Sequence, residues 1–172
     1  MADSANSVLR PRINGKFTGT TDEILQWASC KWGIDTDVVR AMAIRESNWV
    51  QSQKGDYTSD ASKCLPEDAV PCPTSFGILQ VKYYDHPGTY PASLRSTAFN
   101  VDYVLGRWRA CYEGGVSYFG GDYQPGDLWG CVGAHFSGPG RIPPPTNILR
   151  SFRTPPWTSP GGTGWDEPGG LA

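Results

Sequence analysis

The sequence predicts an α+β domain that is predominantly helical, with a small extended or hairpin element placed after its second helix. Three observations carry this. Two stretches repeat apolar residues at steps of three and four, the period of a helix packed on one side, and start and stop signals frame two further helices. Residues 51–74 are polar, Asp-rich and broken by proline, so they read as a loop or small hairpin. Residues 75–81, Ser-Phe-Gly-Ile-Leu-Gln-Val, form a short apolar run too brief for a helix, either a strand or an extended buried segment.

Taken in order, residues 1–19 are polar, contain Pro11, Gly15 and Gly19, and read as an arm. A first helix is expected over 21–32: Thr20 or Thr21 caps it, Asp22 and Glu23 suit its first turn, and Gly33 stops it. The second, over about 36–48, has Asp35 as N-cap and Asp37 at the positive end of the helix dipole. Val39, Met42, Glu46 and Trp49 follow at steps of three, four and three and share one face. A third helix starts at Pro91, where Leu94, Ala98, Val101, Leu105, Trp108 and Cys111 make the strongest helical pattern in the chain; Gly114 and Gly115 end it. A fourth, roughly 126–137, holds Leu128, Trp129, Cys131, Val132 and Phe136 and closes at Gly138-Pro139-Gly140. The last 34 residues contain eight Pro and six Gly, a composition that forms no regular core. The organisation is therefore an arm over 1–19, a folded domain over 20–140, and a linker or surface-wrapping tail over 141–172.

Composition narrows the function. The 172 residues carry a net charge of −2 with both signs interspersed, so no basic patch points to nucleic acid. The longest apolar runs are too short to span a bilayer. Seven Trp, eight Tyr and six Phe offer stacking surfaces of the kind carbohydrate sites use, although cores use them more often. The five cysteines have no metal-binding rhythm, and His86 and His135 stand isolated, so neither zinc nor another cofactor is expected. Disulfides fit better. Cys64 and Cys72 flank a Pro-containing loop, Cys111 and Cys131 lie near the ends of successive helices, and Cys30 is left as a buried thiol of the first helix. Each bridge is worth about 2–4 kcal/mol. Such bonds imply an oxidising compartment, outside the cell or in its envelope. Met1-Ala-Asp-Ser-Ala-Asn-Ser has no charged-then-apolar leader, which reads as a mature protein with an added Met.

The chemistry centres on Glu46. A carboxylate that interrupts an apolar stripe, one turn from Trp49 and near a helix C-terminus, loses solvation and meets the negative end of the dipole. Both raise its pKa. A carboxylic acid that keeps its proton near neutral pH is suited to general acid catalysis. The alternative is a glutamate at a frayed helix end, turned to water.

Three motifs then occur in order. Glu46-Ser47 ends a helix; Ser75-Phe76-Gly77-Ile78-Leu79-Gln80 is similar to a Gly-Leu-Met-Gln segment preceded by a small residue and an aromatic; Ala134-His135-Phe136-Ser137-Gly138-Pro139-Gly140 is similar to Ala-Tyr-Asn-x-Gly-Pro-Gly. Asn100-Val101 resembles the Asn-Ile that opens the helix before the third motif. Over about residues 20–140 the chain therefore resembles the lysozyme-like superfamily, and within it the soluble lytic transglycosylases and goose-type lysozymes. The resemblance implies a lysozyme-like fold and a substrate of peptidoglycan glycan strands. The bond cut would be the β-1,4 link from N-acetylmuramic acid to N-acetylglucosamine. Glu46 would protonate the leaving oxygen and then act as base. In a lytic transglycosylase the substrate's own 6-hydroxyl attacks and closes a 1,6-anhydro ring, with no second carboxylate required.

By the same resemblance Ser47, Ser75, Gly77, Leu79, Gln80 and His135 would line the substrate site of a monomer without cofactor. Two departures stand out. His135 replaces the family's tyrosine beside the acid and Phe136 its asparagine; a neutral His135 is placed to hydrogen-bond Glu46, a protonated one to lower its pKa. Goose-type lysozymes, which invert, carry an aspartate just after the Gly-Leu-Met-Gln segment, where this chain has Lys82. Asp56 or Asp60 in the loop would have to position water, Asp56 being the better match. The absent aspartate favours a transglycosylase, with an inverting hydrolase and a non-catalytic peptidoglycan-binding module as the other readings.

Overall fold

The computed structural model describes residues 11–115 and 125–137. It is α+β and mostly helical, with five α-helices and one three-stranded antiparallel sheet among the described residues. Helix α1 spans Thr21–Trp32 and opens with a capping box, in which Thr20 and Glu23 each satisfy the other's backbone N–H. Gly33, in the left-handed region at φ 65°, ends it. Helix α2 spans Thr36–Ser47, and the Asp35 carboxylate accepts from the Asp37 N–H.

Helix α2 stops one residue earlier than its apolar face suggests. Asn48 and Trp49 both take positive φ, 54° and 66°, and their N–H groups turn back to Ile44 and Ala43 carbonyls. Trp49 is thus not a further residue of the helix face. It folds back against the core and donates its indole N–H to the Arg40 carbonyl at 3.3 Å.

The loop that follows carries β1 (Lys54–Gly55), a 3-10 helix (Ala61–Lys63), β2 (Ser75–Phe76) and β3 (Val81–Lys82), in sheet order β1-β2-β3. Residues 75–81 are therefore neither one strand nor one extended segment. They are most of a hairpin, turned by Gly77 at φ 86° and Gln80 at φ 46°. Gly77 is obligatory there, because a Cβ would sit 2.2 Å from both the Asn100 amide nitrogen and the Ser93 carbonyl.

The expected third helix is two. A short α3 (Ala92–Arg95) breaks at Ser96, which is extended and caps α4 (Thr97–Tyr112) by accepting the Phe99 N–H. Apolar spacing continues across the break, and only the capping serine signals it. Helix α5 (Leu128–Ser137) starts later than expected, after Gly126 at φ 90°, with the Asp127 carboxylate receiving the Gly130 N–H. The closing Gly138-Pro139-Gly140 and the tail over 141–172 lie outside the described residues.

Helix α4 is the central element, buried around most of its circumference and packed on α1, α3 and α5. Leu25, Trp32, Val39, Met42, Ile78, Leu79 and Val132 join it in one core. Gly106 leaves room for the Trp32 ring, which would lie 2.9 Å from a Cβ there. The segment preceding α1 is docked: Asn14 and Gly15 donate backbone N–H groups to the buried Asp102 carboxylate, and Ile13 packs on the core. Two disulfides, Cys64–Cys72 and Cys111–Cys131, close the loop and tie α4 to α5. Cys30 is free, as expected, but exposed rather than buried, because it faces away from the α1 stripe of Leu25, Ala28 and Trp32. No helix among the described residues is long and apolar enough to cross a membrane.

Candidate active site

Glu46 lies in the last turn of α2, one residue before the buried Ser47, and is itself half-buried. Burial pushes its pKa up to about 7. The Asp56 charge pushes the same way, while Arg45 and Lys82 oppose it. The sequence argument thus has the right sign, with desolvation as the main cause.

The neighbours of this carboxyl come from the sheet. Asp56 follows β1 in the left-handed region at φ 51°, a conformation uncommon for a residue with a Cβ. Its Oδ2 accepts from Ser75 Oγ at 2.7 Å and pairs with Lys82 Nζ at 2.9 Å. Gly55, Ser75 and Lys82 stand opposite one another across the three strands, so the register itself assembles this group. Burial raises the Asp56 pKa, but Lys82 and Ser75 outweigh it and hold the carboxyl below its ordinary value. The two carboxyls are therefore split: Glu46 is raised into the neutral range and titrates there, while Asp56 is held below its ordinary value.

Buried amides and one hydroxyl fix the hairpin against the helices. Ser47 Oγ donates to the Ile78 carbonyl at 2.9 Å. Asn100, fully buried on α4, accepts the Leu79 N–H and donates to the Phe76 and Ser93 carbonyls. Gln51 accepts the Ile78 N–H and donates to the Ser93 and Leu94 carbonyls. Gln51 carried no signal in the sequence beyond its place just after α2. Asn100 is legible in the sequence only through the Asn-Val pair, and it lies within the first turn of α4 instead of opening the helix.

The residues expected to line a substrate site divide accordingly. Ser47 is buried and its hydroxyl is turned to backbone, and the Leu79 side chain is wholly in the core, so both brace the site from within. Ser75 is buried and spends its hydroxyl on Asp56. Gly77 offers its carbonyl to the Gln80 side-chain amide at 2.7 Å, which holds Gln80 across the turn. Asp60 caps the 3-10 helix, engaging Ser62 and Lys63 instead of Glu46.

His135 donates from Nε2 to the Leu79 carbonyl at 2.9 Å and sets its ring edge-on to Trp108. That nitrogen is thereby unavailable to Glu46. Burial pushes the His135 pKa down to about 4, which keeps the ring neutral where Glu46 titrates. His86, isolated in sequence, sits beside Arg107 and against Tyr103, within the field of His135 and Lys82; burial and then Arg107 hold it well below its ordinary value. The described residues contain no cluster of His, Cys, Asp and Glu suited to a metal ion.

Chemically, the arrangement offers an acid that titrates near neutral pH, within the field of a cation-paired carboxylate. Comparison of the chain with models of protein families, with curated proteins and with solved structures gave no match.

Proposed function

We propose that this protein is a peptidoglycan-cleaving enzyme of lysozyme-like type, acting as a lytic transglycosylase. The observation that carries the reading is Glu46, a half-buried carboxyl whose pKa of about 7 makes it a proton donor at neutral pH. Ser47 and Asn100 also tie the Gly77–Gln80 hairpin to the helices, which brings the residues of the first two motifs together.

In this mechanism Glu46 protonates the glycosidic oxygen between N-acetylmuramic acid and N-acetylglucosamine, and the C1–O bond breaks. The Glu46 carboxylate then removes the proton from the 6-hydroxyl as its oxygen bonds C1, closing the 1,6-anhydro ring. Tethering makes this attack intramolecular and replaces a positioned water. Gln80, half-buried after the turn, is the residue we assign to acetamido or hydroxyl contacts, whereas the buried Gly77 spends its N–H on the Gln53 carbonyl and its carbonyl on Gln80, and so shapes the turn instead of touching sugar. The two disulfides support action outside the cytoplasm, in the envelope or beyond it.

A second reading, an inverting hydrolase, is favoured by one observation: Asp56 is ionised and close enough to Glu46 to raise its pKa. Mass spectrometry of muropeptides released from purified peptidoglycan separates the two. Products lighter by one water than the reducing muropeptides, and absent with Glu46→Gln, support the transglycosylase. Reducing ends point to the hydrolase. Retention of the protein on walls without release of product by wild type points to a binding module and overturns both.

A further inference from the structure

Lys82 lies on β3, directly across the strand register from Ser75. It meets Asp56, the one carboxylate of the described residues that acts on Glu46, at 2.9 Å. Ser75 donates to the same oxygen, Oδ2, from the strand between them. The Lys82 ammonium also lies 5.9 Å from the Tyr84 ring centroid, which holds its position over the sheet. The pair stands at the surface, with the Asp56 and Lys82 side chains 57% and 34% exposed.

We propose that Lys82 is the residue that selects the attacking nucleophile, by binding the Asp56 carboxylate at Oδ2 and so weakening it as a base for water. The inference rests on the proposed wall-cleaving reaction and deepens it. After Glu46 has given its proton to the leaving oxygen, two acceptors compete for C1. If the 6-hydroxyl attacks, its oxygen bonds C1 and its proton goes to the Glu46 carboxylate. If water attacks, its oxygen bonds C1 and its proton needs a second base; Asp56 takes it and passes it to solvent, while Glu46 is reprotonated from solvent. A carboxylate with an ammonium and a hydroxyl on one oxygen is a weak base and a poor anchor for water. With Lys82 in place, the intramolecular route is the one left open.

The test is the ratio of reducing to 1,6-anhydro muropeptides released from purified peptidoglycan by wild type, Lys82→Gln, Lys82→Arg and the double variant Lys82→Gln/Asp56→Asn. Thermal unfolding checks that each is folded, and Lys82→Met replaces Lys82→Gln if the latter is not. Lys82→Gln is expected to raise the ratio about tenfold or more, because a freed general base contributes on the order of 10²–10⁴-fold. Lys82→Arg, which keeps the cation, and the double variant, which has no base to free, are expected to stay near the wild-type ratio. The product ratio is insensitive to a loss of folded protein, so a merely structural role leaves it unmoved. An unchanged ratio in Lys82→Gln, a raised ratio that persists in the double variant, or reducing ends already dominant in wild type each overturns the role of Lys82 while wall cleavage stands. Absence of any released muropeptide from wild type overturns the wall-cleaving reading, and this inference with it.

Discussion

Glu46 and Asp56 are both carboxylates near one sheet edge, yet their surroundings set them apart. Glu46 is desolvated at the end of α2, whereas Asp56, exposed just after β1, is held low by an ammonium and a hydroxyl. Two predictions belong here. Activity on peptidoglycan is expected to fall as pH rises through about 7, because the acid must start protonated; His135, with its pKa near 4, is expected to leave the profile unchanged in His135→Phe at neutral pH. Glu46→Gln is expected to lower kcat by about 10²-fold or more in the muropeptide release assay. The same substitution has a consequence for stability. A carboxyl whose folded pKa is raised loses its proton at lower pH in the unfolded chain than in the native state, so the native state loses stability as pH rises from the ordinary carboxylate range towards 7. Glu46→Gln is therefore expected to be more stable than wild type at pH 8, by up to ~3 kcal/mol, and to lose that advantage near pH 4. Denaturant unfolding at the two pH values checks it, and an equal difference at both would contradict the burial of Glu46.

At the scale of elements, the hairpin is built from two-residue strands that have little stability of their own. Side chains from the helices hold it. Asn100→Ala would strip partners from the Leu79 N–H and remove a donor from the Phe76 and Ser93 carbonyls. The expected loss is about 2–4 kcal/mol, since each unsatisfied buried group costs ~1–3 kcal/mol. Gly77→Ala would meet the same amide and carbonyl at 2.2 Å in a conformation unfavourable to alanine. Its cost is expected to exceed about 2 kcal/mol, and activity is expected to fall with it, because the turn carries Gln80. Urea unfolding and muropeptide release on the same preparations check both.

At the scale of the molecule, two devices hold the segments to the central helix α4. Asp102, fully buried, receives Lys31 Nζ, Trp32 Nε1 and two backbone N–H groups from residues 14 and 15. Asp102→Asn leaves the Lys31 cation without its counterion and is expected to cost about 3 kcal/mol. The second device is covalent. Replacing both Cys111 and Cys131 with Ser is expected to cost about 2–4 kcal/mol, with the loss centred on α5, where His135 supports Leu79. Thermal unfolding of each variant beside wild type measures these effects, and a cost below ~1 kcal/mol for Asp102→Asn would contradict the pairing.

Local signals determined much of this protein from sequence alone. Caps at Thr20 and Asp35, the glycine after α1 and the 3.6-residue period of buried side chains located the helices, because these depend on near neighbours in the chain. The same period brought Glu46 next to an apolar face and predicted the direction of its pKa shift. Cysteine placement named both disulfides. Tertiary structure alone decided the rest. The break at Ser96 and the left-handed turn at Asn48–Trp49 do not disturb apolar spacing, so periodicity passes over them. The partners of Asp56 were also invisible, since Ser75 and Lys82 meet it only through strand register across 19 and 26 residues of chain. The destinations of Ser47, Gln51 and Asn100 are backbone groups of a distant hairpin, and a backbone carbonyl has no signature in a sequence. Sequence determined which side chain could be the acid; packing decided which groups surround it, and so what it can do.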